Sequence, residues 1–567
     1  MRFASVWPAI VAIACALACA GVPRAQVNPP APAATTPPPV APLPSPSAAA
    51  TATPAPLTSQ MPAPAAGSAS PSATPLPTPT PTQPPVIVQP ASASVPVGES
   101  QTLRVQSALG QLTVTPPTSP IVDVSVDQAA QTITVTGKAP GVATLVVTDQ
   151  RNISATVGIR VAYNAGVIAD SGSVRVTGDP ASPSFVKDQA VATAIALAQP
   201  RADAQVVASA DEVTFSQPLA QDDVATVDVP VLIQGNDYFS VEGTTHVRVE
   251  NVAAPKIMPD SLMVSDYPER LTENGVLFTA DLKRSQPSRF LYFHYNPPGE
   301  PDRRIVLRAQ NTSPEPAIVQ FIDGQGATTS NEMLTGHEAT SAFLRDLVQN
   351  QGHIIVIPAN GTMNLIEQPL PAKMIVCNLL QLRVLNGSSV HLTLFAQNAT
   401  DAPDASLADT GLLSGDHPHA RGVYEIPEFH DSRLWRVNDE YLELPIGQIP
   451  LPNVMKGEAL AGDYGVLQTF VIKVENPNSS PQSIAIYENP RGGRATGTFL
   501  IDGVLIQSHQ VPAFSRYKIR QYVVPGRGFV RVTIATIPDS GSSYPVRLIF
   551  APDDGSVPPG APGSPVY

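Results

Sequence analysis

The sequence predicts a mainly β, multidomain chain: an array of antiparallel β-sandwiches, one small α+β module, and a disordered Pro/Ala/Ser/Thr-rich N-terminal tether ahead of them. Three observations carry that prediction. Short apolar runs alternate with a period of two from Val86 onward, turn residues separate them at short intervals, and one strand–turn–strand pattern occurs twice in the second half. Composition points the same way, because 63 prolines in 567 residues with only 14% charged residues is far from average cytosolic usage. A net charge of −13 without a basic block beyond the N-terminus leaves no Lys/Arg surface for phosphates, so a nucleic-acid partner is excluded and anionic membranes are disfavoured.

The elements follow in chain order. Met1-Arg2 precedes the uncharged apolar run Val6 to Ala20, which is too short to span a bilayer and reads as a secretory signal peptide over residues 1–20. Ala18-Cys19-Ala20 has the small-x-small form of a cleavage site. The alternative is a lipoprotein with a lipid anchor at Cys19, read from Ala16-Leu17-Ala18-Cys19. Both readings export the chain to an extracytoplasmic location, secreted, periplasmic or cell-surface, with no transmembrane segment in the mature protein. Residues 21–85 contain almost no charge and cannot bury enough apolar surface to offset chain entropy, so they read as the tether. Cleavage after Ala20 leaves Cys377 as the only mature cysteine, inside the apolar run Met374-Ile375-Val376-Cys377. It reads as an inert core thiol.

Residues 86–162 carry the clearest alternation: Leu103/Val105, Leu112/Val114, Val122/Val124/Val126, Ile133/Val135, Leu145/Val147 and Val157/Ile159/Val161. Within them, a strand ends at Gly137, Gly141 turns the chain, and a strand of the form T-x-x-V-x-D ends at Asp149. This segment resembles the bacterial Ig-like group 2 fold and the N-terminal β-domain of pilus-assembly secretins. The resemblance implies an adhesion, spacer or assembly module, with no catalytic residue to carry over.

Residues 163–255 predict a small α+β module. Ser173 to Gly178 is a strand, and Ser182-Pro183 supplies a helix cap followed by Pro at the first helical position. Val186, Ala190, Ala194 and Leu197 then follow at helical spacing, and Pro200 stops the run. Val229 to Ile233 and Thr245 to Val249 return to strand, the first placed at a sheet edge because Pro230 cannot donate to a ladder.

The repeat lies in two sandwiches, 275–400 and 460–553, separated by a linker at 401–459 and followed by a disordered tail at 554–567. Ile305 to Phe321 matches Phe470 to Tyr487, each read as a hairpin whose turn opens on Asn311 or Asn476. Downstream, Ile357 to Leu365 is aligned with Val511 to Ile519, and Leu379 to Ala396 with Phe529 to Ala551. This pattern resembles extracytoplasmic bacterial Ig-like adhesion domains.

Chemistry is sparse. The densest candidate is Asp416-His417-Pro418-His419 with Glu425, Glu428, His430 and Asp431, whose imidazoles and carboxylates suit Zn²⁺ or a similar ion. Asp416, His417, His419, Glu428 and His430 are the candidate ligands. The helical signature His-Glu-x-x-His is absent, and His337-Glu338 has no second histidine. Phe290 to Tyr295 alternates two apolar faces, as a strand covered on both sides would. No catalytic elbow or phosphate loop occurs, and no cofactor is implied. The sequence therefore reads as an exported, non-catalytic surface or envelope protein whose partner is a protein or a glycan. The alternatives are an exported enzyme with a metal or carboxylate site in 416–431, and an accessory component of pilus or secretion assembly.

Overall fold

A computed structural model describes residues 83–115, 120–284, 286–402, 411–416 and 419–556. The segment read as a signal peptide, Cys19, nearly all of the segment read as a tether, His417 and the end of the tail lie outside the described residues. Those described fall into two units, 83–164 with 237–239, and 165–236 with 240–556.

The smaller unit is a two-sheet sandwich. One sheet orders Ile87–Gln89, Ser100–Gln106, Thr132–Gly137 and Val122–Asp127; the other orders Tyr238–Phe239, Ser154–Asn164, Gly141–Thr148 and Thr113–Thr115, with Ser92–Pro96 also on Ser154–Asn164. The alternating residues Leu103, Ile133, Val135, Leu145, Val147, Val157 and Ile159 fill the space between the sheets. Asp149, the last residue of the T-x-x-V-x-D strand pattern, closes the following turn. Burial pushes its carboxyl up, but N–H groups of Leu109, Arg151 and Ile153 and the Arg151 guanidinium overcome this and hold it at about 2.

In the larger unit a ten-stranded sheet runs Gln205–Val207, Val224–Gln234, Val241–Asn251, Ser171–Thr177, Gly352–Ile357, Ala317–Gln325, Ile375–Asn386, Ser288–Tyr295, Ser261–Ser265, Arg421–Tyr424. The helix read from Ser182-Pro183 is present as α1 (Pro183–Leu197), with the Ser182 side chain accepting from the Phe185 N–H. It packs on the first strands of this sheet. The small module and the first sandwich share one sheet, because Val176 and Thr177 pair with His353 and Gly352. Val224–Gln234 is the second strand and not the edge. The edge strand pairs only with Leu232 to Gln234, so Pro230 lies outside that ladder.

A second sheet, Gly275–Lys283, Ser389–Asn398, Arg303–Gln310 and Thr362–Leu370, faces the ten-stranded one across a large apolar core. The second repeat closes its own sandwich. Its sheets are Glu428–Arg436, Leu467–Glu475, Phe529–Thr536, Ala495–Ile501, Val504–Val511, and Leu442–Ile446, Val546–Pro552, Gln482–Pro490, Tyr517–Val524. Two of these strands, Glu428–Arg436 and Leu442–Ile446, come from residues read as a linker, which also supplies Arg421–Tyr424 to the ten-stranded sheet. Glu428–Arg436 is an edge strand exposed along most of its length, so it shows no apolar alternation for a sequence reading to catch.

The repeat is real, but its units are not hairpins. Arg303–Gln310 and Ala317–Gln325 lie in opposite sheets, as do Leu467–Glu475 and Gln482–Pro490, so each Asn opens a corner that crosses the sandwich. Ile305, Leu307 and Ala309 in one copy and Phe470, Ile472 and Val474 in the other all face their cores. The corners match bond for bond. Asn311 Nδ2 donates to Glu315 O at 2.8 Å and Ile357 O at 3.4 Å, while Asn476 Nδ2 donates to Ser480 O at 2.9 Å and Val524 O at 3.1 Å; the first copy adds a bond to Pro358 O at 3.1 Å. Each Oδ1 accepts from the N–H two residues on, at 3.0 Å in both copies. Each backbone N–H donates at 2.9 Å, to Gly361 O or to Gly528 O.

These bonds correct the downstream alignment: Ile357-Pro358-Ala359-Asn360-Gly361 corresponds to Val524-Pro525-Gly526-Arg527-Gly528. Thr362–Leu370 then corresponds to Phe529–Thr536, and Ile375–Asn386 to Val546–Pro552. The Val511-Pro512 turn that attracted the earlier alignment belongs to the hairpin Ala495–Ile501/Val504–Val511. That hairpin occupies the place held in the first repeat by a helix the sequence reading missed, α2 (Glu332–Val348).

Candidate functional site

The corner of the second repeat carries an open depression of about 320 Å³, lined by Glu475, Asn476, Pro477, Arg527, Gly528 and Phe529. Asn476 sets its floor by tying the two turns together. Arg527 sits at φ 53°, in the left-handed region, and its N–H reaches Asn478 O at 2.7 Å. Its side chain is exposed and makes no hydrogen bond or ion pair to the described residues. Phe529 is 58% exposed, with Lys473 Nζ 4.8 Å from its ring centroid. Glu475 is held by Lys473 at 2.7 Å and Arg436 at 3.5 Å, and these cations keep its carboxyl below the usual range. Arg531 stands opposite Lys473 in the neighbouring strand. Two cations thus hold the Glu475 carboxylate, while Arg527 and the exposed Phe529 ring line the depression beside it.

At the matching positions the first repeat has Gln310, Thr312, Asn360 and Thr362. Asn360 has φ 50°, so the backbone is the same while the side chains offered to solvent differ. Sequence reading missed Arg527 and Phe529 because the repeat was aligned onto the wrong proline turn. The signal that finds them is the Pro-x-x-Gly turn present in both copies.

The residues singled out from sequence do not converge. His417 lies outside the described residues, and Asp416 is exposed. His419 reaches Asp266 at 3.4 Å and Glu269 at 3.2 Å, and hydrogen bonding to Asp266 raises its pKa. His430 lies on the edge strand Glu428–Arg436, with Glu428 3.7 Å away. The Glu428 carboxylate is engaged elsewhere, at 3.0 Å from the fully buried Arg289 guanidinium. Among the described residues no three His, Cys, Asp or Glu side chains are placed to hold a metal ion together. Cys377 is buried, and burial pushes its thiol up to about 12. Phe290 and Tyr292 enter one core while Leu291 and Phe293 enter another, the two-sided covering read from the sequence.

A polar cluster joins the repeats. α2 is buried on almost every side, between the ten-stranded sheet and the hairpin of the second repeat. Gly336 is required for that approach, since a Cβ there would run into the Ser540 carbonyl. His337 Nδ1 donates to Asp539 Oδ2 at 2.7 Å, and the Gln507 amide donates to Ser341 Oγ at 2.6 Å and to His337 Nε2 at 3.2 Å. Glu488 is wholly buried nearby. Burial, helped by the charge of Asp539 and opposed by the neighbouring Ser508 hydroxyl, raises its carboxyl to about 8. These groups are enclosed and their hydrogen bonds run between the two repeats, which makes the cluster a fastener.

No family model matches the chain, and no curated protein matches it. Parts of it resemble solved structures. Human mucin-like protocadherin EC1-2 is 11% identical over 30% of this chain and 100% of that one, with a TM-score of 0.13. A tri-modular GH5 endo-β-1,4-glucanase from Bacillus licheniformis is 14% identical over 29% of this chain and 38% of that one, at 0.13. The Bacteroides ovatus mixed-linkage glucan utilization locus protein SGBP-B is 10% identical over 53% of this chain and 70% of that one, also at 0.13. Similarity at this level assigns no function. The mainly β fold stands on the strands themselves, and no helix among the described residues is long and apolar enough to cross a membrane.

Proposed function

We propose that this chain is a non-catalytic binding protein of the extracytoplasmic surface or envelope, its sandwiches presenting loops and corners to a protein or glycan partner. One observation carries the reading: the two repeats keep the same corner, hydrogen bond for hydrogen bond, and change the side chains exposed on it. A scaffold that preserves its backbone while varying its surface is organised for recognition. The export signal and nearly charge-free tether read from the sequence support the location. Brief protease treatment of intact cells tests it. Loss of the full-length chain from intact cells, with a cytosolic marker untouched, is the expected result; full protection together with recovery in the cytosolic fraction overturns it.

A further inference from the structure

We infer that the corner depression of the second repeat is a binding site for an acidic saccharide, a pyranose ring bearing a carboxylate. The inference rests on the binding reading above and names its ligand class.

Charge is the first argument. In a chain of net charge −13, Arg436 and Lys473 hold the Glu475 carboxylate, Arg531 pairs across from Lys473 on the neighbouring strand, and Arg527 lines the depression beside them. Lys473 and Arg436 are engaged with that carboxylate, whereas Arg527 leaves its whole donor fork open at the depression. A guanidinium fork matches a carboxylate with two parallel hydrogen bonds.

The second argument comes from the backbone. Arg527 occupies a left-handed position where the first repeat has Asn360, at nearly the same φ. Asn tolerates that region readily, whereas a long side chain there carries strain. The fold gains nothing from the exchange, because the Arg527 side chain meets no partner among the described residues. Its use lies outside the chain.

The third argument is Phe529. Thr362 stands at this point in the first repeat, so the exposed ring is not part of the shared scaffold. An aromatic ring beside Pro477 offers an apolar wall to the C–H face of a pyranose, and Arg527 stands beside it to receive a pendant carboxylate. The outward positions that continue along this strand are Arg531 and Thr533, so there is no row of apolar pockets for the alternating side chains of a peptide.

The test uses the purified mature chain against trigalacturonate, a hyaluronan tetrasaccharide and sialyllactose, each beside its carboxyl-reduced counterpart, read by calorimetry at low and high salt. At least one acidic sugar should bind, weaken with salt, and lose tenfold or more in affinity on carboxyl reduction. Arg527→Asn and Phe529→Thr, which install the residues of the first repeat, should each cost tenfold or more without lowering the melting temperature. Asn360→Gly, on the first repeat, should leave affinity unchanged. The inference is overturned if none of the acidic sugars binds, if the reduced forms bind equally well, or if an acidic peptide displaces them and Phe529→Thr has no effect. Those results leave the surface-binding reading standing, since that reading falls only with the location experiment.

Discussion

The two repeats share a corner but differ in what they insert between equivalent strands and in what they expose. Between Ala317–Gln325 and Gly352–Ile357 the first repeat places α2; between Gln482–Pro490 and Tyr517–Val524 the second places a β-hairpin. The two insertions pack against each other. Each repeat thus contributes the element that covers the other, and the tandem behaves as a fastened pair rather than as two independent beads. Arg289 reinforces this from the first repeat, bonding Pro427 O at 2.7 Å, Gly465 O at 3.1 Å and Glu428. Burial lowers its pKa to about 10, so it stays charged at neutral pH and needs that partner.

The strongest way to break the comparison is to cut the fastener. His337→Leu strands the buried Asp539, and Arg289→Met frees Glu428; each should cost about 3 kcal/mol or more. Urea unfolding followed by fluorescence should show a lower midpoint and, in the double variant, two transitions. One unchanged transition would show that the repeats do not depend on this junction.

Next comes the shared corner. Asn311→Ala and Asn476→Ala each leave buried carbonyls without a donor, at about 2 kcal/mol apiece. Because the bonds correspond, the two losses should agree within about 1 kcal/mol. A near-neutral change at one site and a large one at the other would dissolve the equivalence.

A smaller effect separates the copies by pH. Glu488 corresponds to Asp323, but Asp323 is only half-buried. The folded chain holds the Glu488 proton up to about 8, against an ordinary value of 4.5. Its contribution is therefore full below about 4.5 and is lost as pH rises toward 8. The melting temperature should fall by a few degrees across that window, and Glu488→Gln should flatten the profile. An unaltered slope in the variant would assign the dependence to other groups.

The smallest expected change is a gain. Arg527→Asn should relieve left-handed strain and stabilise the second repeat by about 0.5–1 kcal/mol. Careful thermal melts would resolve it, and a loss of stability would mean that the Arg527 side chain supports the fold.

The sequence by itself determined the elements whose signal is local. Ile133/Val135 and Leu145/Val147 declare their strands because alternate side chains meet one core, and Ser182-Pro183 declares α1 because a cap and a fixed φ act within one turn. Ile305, Leu307 and Ala309 could be matched to Phe470, Ile472 and Val474 for the same reason. Whether the two strands of a repeat form a hairpin or cross a sandwich depends on partners far along the chain, and only the tertiary structure decided it. Glu428–Arg436 stayed hidden because an edge strand buries too little to alternate. α2 stayed hidden because its buried face is itself largely polar, with Thr335, His337, Thr340, Ser341 and Asp346 interrupting the apolar spacing that marks a helix. His337 meets Asp539 across 202 residues, a pairing that no local pattern encodes. The candidate site was legible only in its parts, Pro-x-x-Gly turns and an Arg where an Asn would serve. Its assembly waited on the fold, because two turns from distant strands had to be brought to one corner before Arg527 and Phe529 became neighbours.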